Sequence, residues 1–341
     1  MAEKRPPATL DEMRDIIAKF PGPDREAEEA ARAREALLTK PAGALGRLEE
    51  LSIWMACWQG KHPAQCVHPR AAVFAGNHGV ASLGVSAYPA AVTAQMVKNF
   101  VDGGAAVNQL CRAVDADLRV YEMALEQPTK DFTVEPAMSE EDCATAMAYG
   151  MMAVEPGIDL LALGEMGIAN TTAAAALCAA LFGGAASDWV GPGTGIAGDG
   201  MKRKIAVAEK GVALHRTAAK DGCDLLRRLG GREFAAMAGA IIAARMARVP
   251  VLLDGYATCA AAAVLFALDE HALDHCKVAH RSAEPGHRRL LERLGKAPLL
   301  DLDMRLGEAS GATLAIAIVK AALACHNGMA TFAEAGVSGK E

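Results

Sequence analysis

Short apolar runs alternate with long alanine-rich amphipathic stretches from residue 68 onward, and this alternation limits the fold more than any other feature. The apolar runs cover residues 71–75, 118–121, 158–163, 249–253, 277–279 and 299–302. Such runs, separated by helical sequence, are typical of parallel strands joined by helices. The sequence therefore predicts an α/β fold, with a mostly parallel sheet flanked by helices on both faces.

Both ends of the chain differ from this pattern, because they carry helical spacing without a strand signal. Helices are predicted over residues 10–20, 24–38 and 43–58, and again from Ser310 to about Glu334, where we expect packing on the N-terminal helices. A length of 341 residues suggests about two domains, or one large domain with an appendage.

Composition and charge exclude several classes of function. The net charge is −6 and only 4% of residues are aromatic, which argues against the basic faces and stacking platforms that bind nucleic acid. The first residues lack an apolar stretch of signal-peptide length, and no run reaches the ~18 apolar residues of a membrane span. The nine cysteines form no CxxC pair, so neither a disulfide framework nor a zinc site is indicated. We expect a cytoplasmic protein without nucleic-acid or membrane partners.

Polar or glycine-rich turns follow most of the apolar runs, at residues 75–80, 164–172, 254–258, 280–287 and 304–312. Because the carboxyl ends of parallel strands lie at one edge of a sheet, these turns should converge on a single crevice. The sequence therefore predicts the functional site at that edge.

Glu308 is the candidate general base of this crevice. It lies between Gly307 and Ala309, just before a predicted helix, and these small neighbours let a flat substrate approach the carboxylate. The same spacing is equally compatible with a carboxylate at a helix N-terminus beside a Ser310 cap.

The segment GEMGIANTT is a candidate anion cradle. Asn170, Thr171 and Thr172 begin a predicted helix, whose free N–H groups and hydroxyls suit a phosphate, and Gly167 frees the backbone before it. Glu165, at the end of the strand, is suited to accept hydrogen bonds from ribose hydroxyls. The alternative is an ordinary capped helix after a tight turn.

The segment GPGTGIAGDGMKRK, residues 191–204, combines backbone freedom at Gly193 and Gly195 with the cationic groups of Lys202 and Lys204. Such a combination is able to hold a phosphate. Its G-x-G-x-x-G spelling is a weak dinucleotide fingerprint, because a proline interrupts it and no strand-end acid follows, so a dehydrogenase is disfavoured. A mobile surface loop is the alternative.

Residues 75–97 offer an apolar slot for a flat heterocycle, since Ser86, Tyr88 and Met96 follow the first predicted strand. His78 lies in the same segment, where a lone histidine is more often structural than catalytic. The segment is therefore a candidate binding site for an aromatic base.

A histidine cluster lies around the fifth apolar run. His271 and His275 have an i, i+4 spacing, with Cys276 and His280 nearby, but no third ligand stands at a spacing known for metal sites. We interpret the cluster as a solvated helix face, and no metal is predicted.

Nine motifs, taken together and in this order, resemble a known family. They are KPAGALGRLEEL (40–51), AGNHGV (75–80), GVSAYPAAVT (84–93), GEMGIANTT (164–172), VGPGTG with RK (190–195 and 203–204), GGREFAAMAGA (230–240), PVLLDGY (250–256), SAEPGH (282–287) and PLLDLDMRLGEASGA (298–312). The sequence from about residue 24 to 334 resembles the nicotinate mononucleotide:5,6-dimethylbenzimidazole phosphoribosyltransferases, which build the lower-ligand nucleoside of cobalamin.

This resemblance implies a Rossmann-like sheet domain over residues 63–312 and a small helical domain formed by residues 1–62 and 313–341. It also implies a homodimer and a metal-free reaction without a cofactor. Glu308 falls on the catalytic base of the family and Glu165 on its second important acid. The implied substrate-binding residues are Tyr88, Met96, Gly167, Asn170, Thr171, Thr172, Gly193, Gly195, Lys204, Ser282 and Leu306.

The implied activity transfers phosphoribose from nicotinate mononucleotide to 5,6-dimethylbenzimidazole or a related base, giving α-ribazole 5′-phosphate and nicotinate. Two alternatives stay open: a transferase of the same fold that uses adenine, another purine or a phenolic acceptor, and a non-catalytic nucleotide or base sensor. The sequence departs from the family pattern at Asn77, where Asp is usual, and at Ala169 and Ala309, where Gly is usual. Asn77 and Tyr88 are expected to reshape the pocket for the base.

Overall fold

The computed structural model describes residues 8–338, so the ends of the predicted helical domain, residues 1–7 and 339–341, lie outside the described residues. The strands are β1 (Pro69–Ala75), β2 (Asp117–Glu122), β3 (Leu160–Met166), β4 (Val251–Leu253), β5 (Cys276–His280) and β6 (Pro298–Leu300). The α-helices are α1 (Leu10–Ile17), α2 (Arg25–Leu37), α3 (Arg47–Gln59), α4 (Ala91–Asp102), α5 (Ala106–Val114), α6 (Glu140–Met151), α7 (Asn170–Phe182), α8 (Asp199–His215), α9 (Gly222–Leu229), α10 (Arg232–Met246), α11 (Tyr256–Phe266), α12 (Pro285–Leu294), α13 (Ser310–Gly328) and α14 (Phe332–Ala335).

The strands form one parallel sheet in the order β2-β1-β3-β4-β5-β6. All six predicted strands are present, with ends displaced by at most three residues. The chain moves from β1 to β2 on one side and then crosses to β3 on the other. Such a reversal opens a crevice at the carboxyl ends of the two strands, where sheets of this type bind ligands.

Helices cover both faces of the sheet, which explains why its central strands are continuously apolar. Phe74 and Leu163 share one core with α10 and α11, whereas Val73 and Ala162 share another with α3 and α13. Alternate residues along a strand point to opposite faces, so β1 and β3 are buried on both sides.

The helices at the two chain ends contact one another. α2 packs on α3, and α3 packs on α13, which also covers the sheet at β3 and β5. α1 packs on α6 instead. The division into a helical domain and an α/β domain remains our proposal.

Among the described residues, α13 is the one helix long and apolar enough to cross a membrane by composition, with a mean hydropathy of 1.2. Half of that stretch is buried inside the protein. Ala312, Ile316 and Val319 are completely buried against the sheet and its neighbouring helices. Packing within this fold therefore accounts for the apolar character of the helix.

Candidate active site

A cavity of about 570 Å³ opens at the carboxyl edge of the sheet. Its wall is drawn from residues 85–96, 165–171, 193–194, 255–257, 280–284 and 305–308. Four of the five predicted polar turns contribute to it, whereas turn 75–80 does not. The turns that follow β3, β4, β5 and β6 thus meet in one place, as expected for parallel strands.

Three consecutive left-handed residues carry Glu308 into this cavity. The angle φ is 82° at Gly307, 61° at Glu308 and 57° at Ala309. The main-chain N–H of Glu308 donates to the main-chain oxygen of Glu165 at 3.0 Å. A left-handed conformation costs a residue with a Cβ roughly 1–2 kcal/mol. The surrounding structure must therefore hold this loop in place.

The Glu308 side chain suits proton transfer. The residue is 5% exposed, and burial raises the pKa of its carboxyl to about 7. A carboxyl with this pKa is half ionised at neutral pH, and its anion is a stronger base than that of an exposed glutamate. Glu308 can therefore take a proton from a group that enters the cavity.

Glu165 lies at the end of β3 in the same cavity. The side-chain amide of Asn170 donates a hydrogen bond to its carboxylate. Burial, followed by the nearby negative charge of Glu233, raises the pKa of Glu165 to about 8, so its protonated form predominates at neutral pH. A Cβ at Gly307 would lie 2.7 Å from Oε1 of Glu165, so the glycine allows the Glu308 loop to pass close to this acid.

The start of α7 and the glycine-rich loop form a polar part of the wall, with Lys204 behind it. The ammonium group of Lys204 donates to Oγ1 of Thr171 and to the main-chain oxygen of Gly191, both at 2.8 Å. The residue is 1% exposed, and burial lowers its pKa to about 8. A Cβ at Gly193 would lie 2.6 Å from Oγ1 of Thr171, so a glycine is needed for this close approach. The positive end of the α7 dipole, the hydroxyl of Thr171 and the cation of Lys204 together suit a phosphate.

Lys202, the other cationic candidate in this segment, is placed differently. Its side chain is exposed and pairs with Asp199 at 2.9 Å. It does not belong to the cavity wall. Of the two lysines, only Lys204 therefore contacts the polar part of the wall.

Tyr88, Met96 and Leu306 belong to the apolar part of the wall, together with Val85, Val92, Met166 and Ile168. Tyr88 and Leu306 are each 56% exposed, and Met96 is half-buried. Oγ1 of Thr194 lies 2.9 Å from Oγ of Ser86, which ties this region to the glycine-rich loop. A flat apolar group bound here would be adjacent to Glu308, since Leu306 lies on the same loop.

Comparison with known proteins gives a consistent result. A family model described as phosphoribosyltransferase matches residues 20–337. The nicotinate-nucleotide–dimethylbenzimidazole phosphoribosyltransferase of Brucella anthropi is 58% identical over 332 residues, which cover 97% of this chain and 98% of that protein. The protein of the same name from Rhizobium meliloti is 60% identical over 332 residues, with the same coverage. The chain belongs to this phosphoribosyltransferase family.

A solved structure supports the same fold. The crystal structure of CobT from Thermus thermophilus has a TM-score of 0.86 and 40% identity, and the match covers 92% of this chain and 100% of that chain. The predicted phosphoribosyltransferase family and the predicted α/β fold are therefore confirmed.

Most of the site residues predicted for a phosphoribosyltransferase line the cavity. They are Tyr88, Met96, Glu165, Gly167, Asn170, Thr171, Gly193, Ser282, Leu306 and Glu308. Thr172, Gly195 and Lys204 do not line it. Thr172 follows Thr171 on a helix, so its side chain points about 100° away and enters the core. Gly195 is exposed farther along the loop, and Lys204 reaches Thr171 from behind.

Sequence reasoning missed Glu284 and Arg305, which also line the cavity. The N–H of Gly193 donates to Oε1 of Glu284 at 2.8 Å, and Nη1 of Arg305 donates to the oxygen of Gly193 at 2.9 Å. The two side chains thus hold the glycine-rich loop from both sides of one residue. Their position in the polar turns after β5 and β6 is the signal that could have found them.

The interpretation of the histidine cluster as a solvated helix face was wrong for His275, Cys276 and His280, which are all buried. His275 is buried, and burial lowers its pKa to about 3. His280 ends β5 and lines the cavity, and burial lowers its pKa to about 4. The reason is that a central strand, and not a helix, begins at Cys276. His271 is exposed, and residues 8–338 contain no group of three or more histidine, cysteine or acidic side chains arranged for a metal.

Two departures from the family pattern have a clear structural setting. Ala169 has φ of 76° and Ala309 has φ of 57°, a region where glycine is relaxed and alanine is strained. Asn77 does not line the cavity, and its side chain donates to the main-chain oxygen of Leu125 at 2.9 Å. Its effect on the pocket for the base stays a prediction.

Proposed function

We propose that this chain transfers phosphoribose from nicotinate mononucleotide to 5,6-dimethylbenzimidazole or a closely related base, giving α-ribazole 5′-phosphate and nicotinate in cobalamin biosynthesis. The observation that carries the proposal is the position of Glu308. Its buried carboxyl, with a pKa of about 7, shares one cavity with an apolar region and a phosphate-suited region. Relatives of 58% and 60% identity that carry this activity in their names match nearly the whole chain, which supports the proposal.

The nucleotide binds first through its phosphate in this proposal. The hydroxyl of Thr171 contacts a phosphate oxygen, and the positive end of the α7 dipole favours the negative charge of the phosphate. Lys204 supports them from behind with its positive charge. A bound phosphate dianion raises the pKa of Lys204 and keeps it protonated.

The acceptor base lies against Met96, Tyr88 and Leu306 with its ring N–H directed at Glu308. Glu308 removes that proton, and the lone pair of the freed nitrogen attacks C1′ of the ribose from the face opposite nicotinate. The bond between C1′ and the pyridinium nitrogen breaks, and its electron pair stays on nicotinate. The configuration at C1′ inverts from β to α. The leaving group needs no proton, because its nitrogen loses a positive charge as it departs.

Glu165 stabilises the positive charge that develops on the ribose. Burial and Glu233 favour its protonated form, but a cationic pyridinium in the cavity favours the carboxylate and lowers the pKa. Nucleotide binding thus places an anion beside the reacting carbon, and the hydrogen bond from Asn170 fixes its orientation.

A panel of acceptor bases tests the proposal. The purified protein is incubated with nicotinate mononucleotide and, separately, dimethylbenzimidazole, benzimidazole, adenine, guanine or phenol, and the products are identified by mass spectrometry. We expect α-ribazole 5′-phosphate and an equal amount of nicotinate, formed fastest with dimethylbenzimidazole. Product with only a purine or phenol would favour a transferase of the same fold that uses such an acceptor. Nucleotide binding without nicotinate release would favour a non-catalytic sensor.

We further propose that the protein acts as a homodimer in the cytoplasm and without a cofactor. The nine cysteines are all free thiols, which suits a reducing compartment, and the family resemblance supports the dimer. Light scattering during gel filtration should give the mass of two chains of 35.5 kDa. The mass of one chain would contradict the dimer.

A further inference from the structure

We propose that Asp254 is a positioning residue that holds the Glu308 loop in its left-handed conformation. This inference rests on the proposed function, because it takes Glu308 as the group that removes the proton. Asp254 directly follows β4, and its main-chain N–H donates to the oxygen of Leu163 in β3 at 3.1 Å. The sheet therefore fixes the point from which its side chain extends.

The carboxylate of Asp254 caps a helix to which it does not belong. Its Oδ1 accepts the N–H of Ala312 at 2.9 Å, and the N–H groups of Gly311 and Ala309 also face it. The first N–H groups of a helix have no partner within that helix, and a carboxylate there both satisfies them and complements the helix dipole. The N-cap position of α13 is itself Ala309, whose side chain makes no capping bond. Asp254 therefore supplies the hydrogen-bond acceptor that Ala309 cannot provide for the N–H groups at the start of α13.

β3 holds the same loop from its other side. A Cβ at Gly164 would lie 2.1 Å from the main-chain nitrogen of Ala309, so the loop rests directly on the strand. The N–H of Glu308 is bound to the oxygen of Glu165 at 3.0 Å. Left-handed residues persist only where the surroundings over-determine them. Asp254 and β3 thus hold the loop from two sides. If Asp254 no longer binds it, the loop can relax, and the carboxyl of Glu308 no longer points at the substrate.

Asp254 acts through Glu308 and not on the substrate. The residue is 0% exposed and is not part of the cavity wall. His280 is also close, since its Nδ1 lies 3.5 Å from Oδ1 of Asp254. Within the described residues its Oδ2 makes no hydrogen bond. Its hydrogen bonds are thus directed at the start of α13.

Two substitutions separate positioning from general damage. Asp254→Ala removes the acceptor, and kcat should fall about 100-fold, the loss expected when a catalytic group is misplaced by about 1 Å. The KM for nicotinate mononucleotide should change by no more than about twofold, because the phosphate contacts are untouched. Asp254→Asn keeps an oxygen at the position of Oδ1, so kcat should recover to within about fivefold of wild type.

Asp24→Ala is the matched control. Asp24 caps α2 by accepting the N–H of Ala27 at 3.0 Å, and it has no contact with the cavity wall. Its loss should lower stability measurably, as removal of a helix cap does, and leave kcat at the wild-type value. If Asp254→Ala does not fold, Asp254→Leu gives the same comparison, because Leu approximates the shape of Asn without its oxygen.

The outcomes are distinct. Wild-type kcat in Asp254→Ala, equal losses in the Asn and Ala variants, or a raised nucleotide KM with unchanged kcat would each overturn the positioning role. A wild-type protein that releases no nicotinate with any base would instead overturn the proposed function. A loss of kcat in Asp254→Ala with unchanged KM, together with a near wild-type kcat in Asp254→Asn, supports both the positioning role and the proposed function.

Discussion

Replacing Glu308 by Gln should remove most of the transfer activity while leaving nucleotide binding intact. Gln has the same size and the same backbone preferences as Glu, so the loop keeps its geometry. The substitution removes only the base, and loss of a general base typically costs about 100- to 10,000-fold in rate. Binding of nicotinate mononucleotide should be unchanged within about twofold, because Thr171, Gly193 and Lys204 are retained.

The same substitution should stabilise the folded protein at alkaline pH. Burial raises the pKa of Glu308 from 4.5 to about 7, and this difference corresponds to about 3 kcal/mol. Because the folded pKa lies above the unfolded one, ionisation destabilises the native state, with no cost below the unfolded value and the full cost above the folded value. Gln never ionises. Glu308→Gln should therefore exceed wild type in stability at about pH 8, by up to about 3 kcal/mol, and match it near pH 4.

Nicotinate release under saturating substrates, calorimetric titration with the nucleotide, and urea unfolding at about pH 4 and pH 8 measure the three effects. Glu292→Gln is the control, since Glu292 is exposed on α12 and pairs only loosely with Arg288 at 3.6 Å. It should change none of the three. Activity of Glu308→Gln within about threefold of wild type would refute the role of Glu308 as the base.

Further predictions concern the phosphate region and the pH profile. Lys204→Ala should weaken nucleotide binding at least tenfold, because hydrogen bonds to charged groups contribute about 1.5–3 kcal/mol, and calorimetric titration would show unchanged affinity if the role is wrong. Gly193→Ala should also weaken binding without removing a charge, since its Cβ would lie 2.6 Å from Oγ1 of Thr171, and wild-type affinity would contradict the close approach. For the wild type, kcat/KM should rise with pH through about 7 to 8, as Glu308 and then Glu165 ionise, and fall at higher pH, as Lys204 of the free enzyme loses its proton. Initial rates between about pH 5.5 and pH 9 check this, and a flat profile would count against both assignments.

The sheet could be predicted from the sequence because strands buried on both faces are continuously apolar. The ends of the strands could not, because pairing decides them. The apolar run begins at Ile158, for example, but β3 begins at Leu160, where its pairing with Pro69 of β1 starts. The strand propensity of one segment contains no information about where the neighbouring strand of the sheet begins to pair with it.

In the candidate site, too, the sequence predicts some of the residues and not others. Glu308 and Glu165 stand out in the sequence because each acid lies among small residues at the end of an apolar run. Glu284 and Arg305 do not, because their observed contacts are with the backbone of Gly193, more than ninety residues away in the chain. His280 was misplaced because the i, i+4 spacing of His271 and His275 mimics a helix, where the fold has a buried strand that begins at Cys276. Residues whose role is to position other residues can be recognised only in the folded structure, where the separate turns lie next to one another.

Three acids with raised pKa values converge at this edge of the sheet: Glu165 at about 8, and Asp254 and Glu308 at about 7. Burial is the first cause for each, and the charge of Glu308 also makes ionisation of Glu165 and Asp254 less favourable. Burial of these carboxyl groups therefore destabilises the fold at neutral pH, and it does so by the same interaction that makes the Glu308 anion a strong base. The cationic pyridinium of the proposed nucleotide offsets part of that instability, and in the proposed binding mode its phosphate lies on the Lys204 side of the cavity, apart from these acids. The charge distribution of the cavity is thus unfavourable for the protein alone and favourable for the proposed nucleotide.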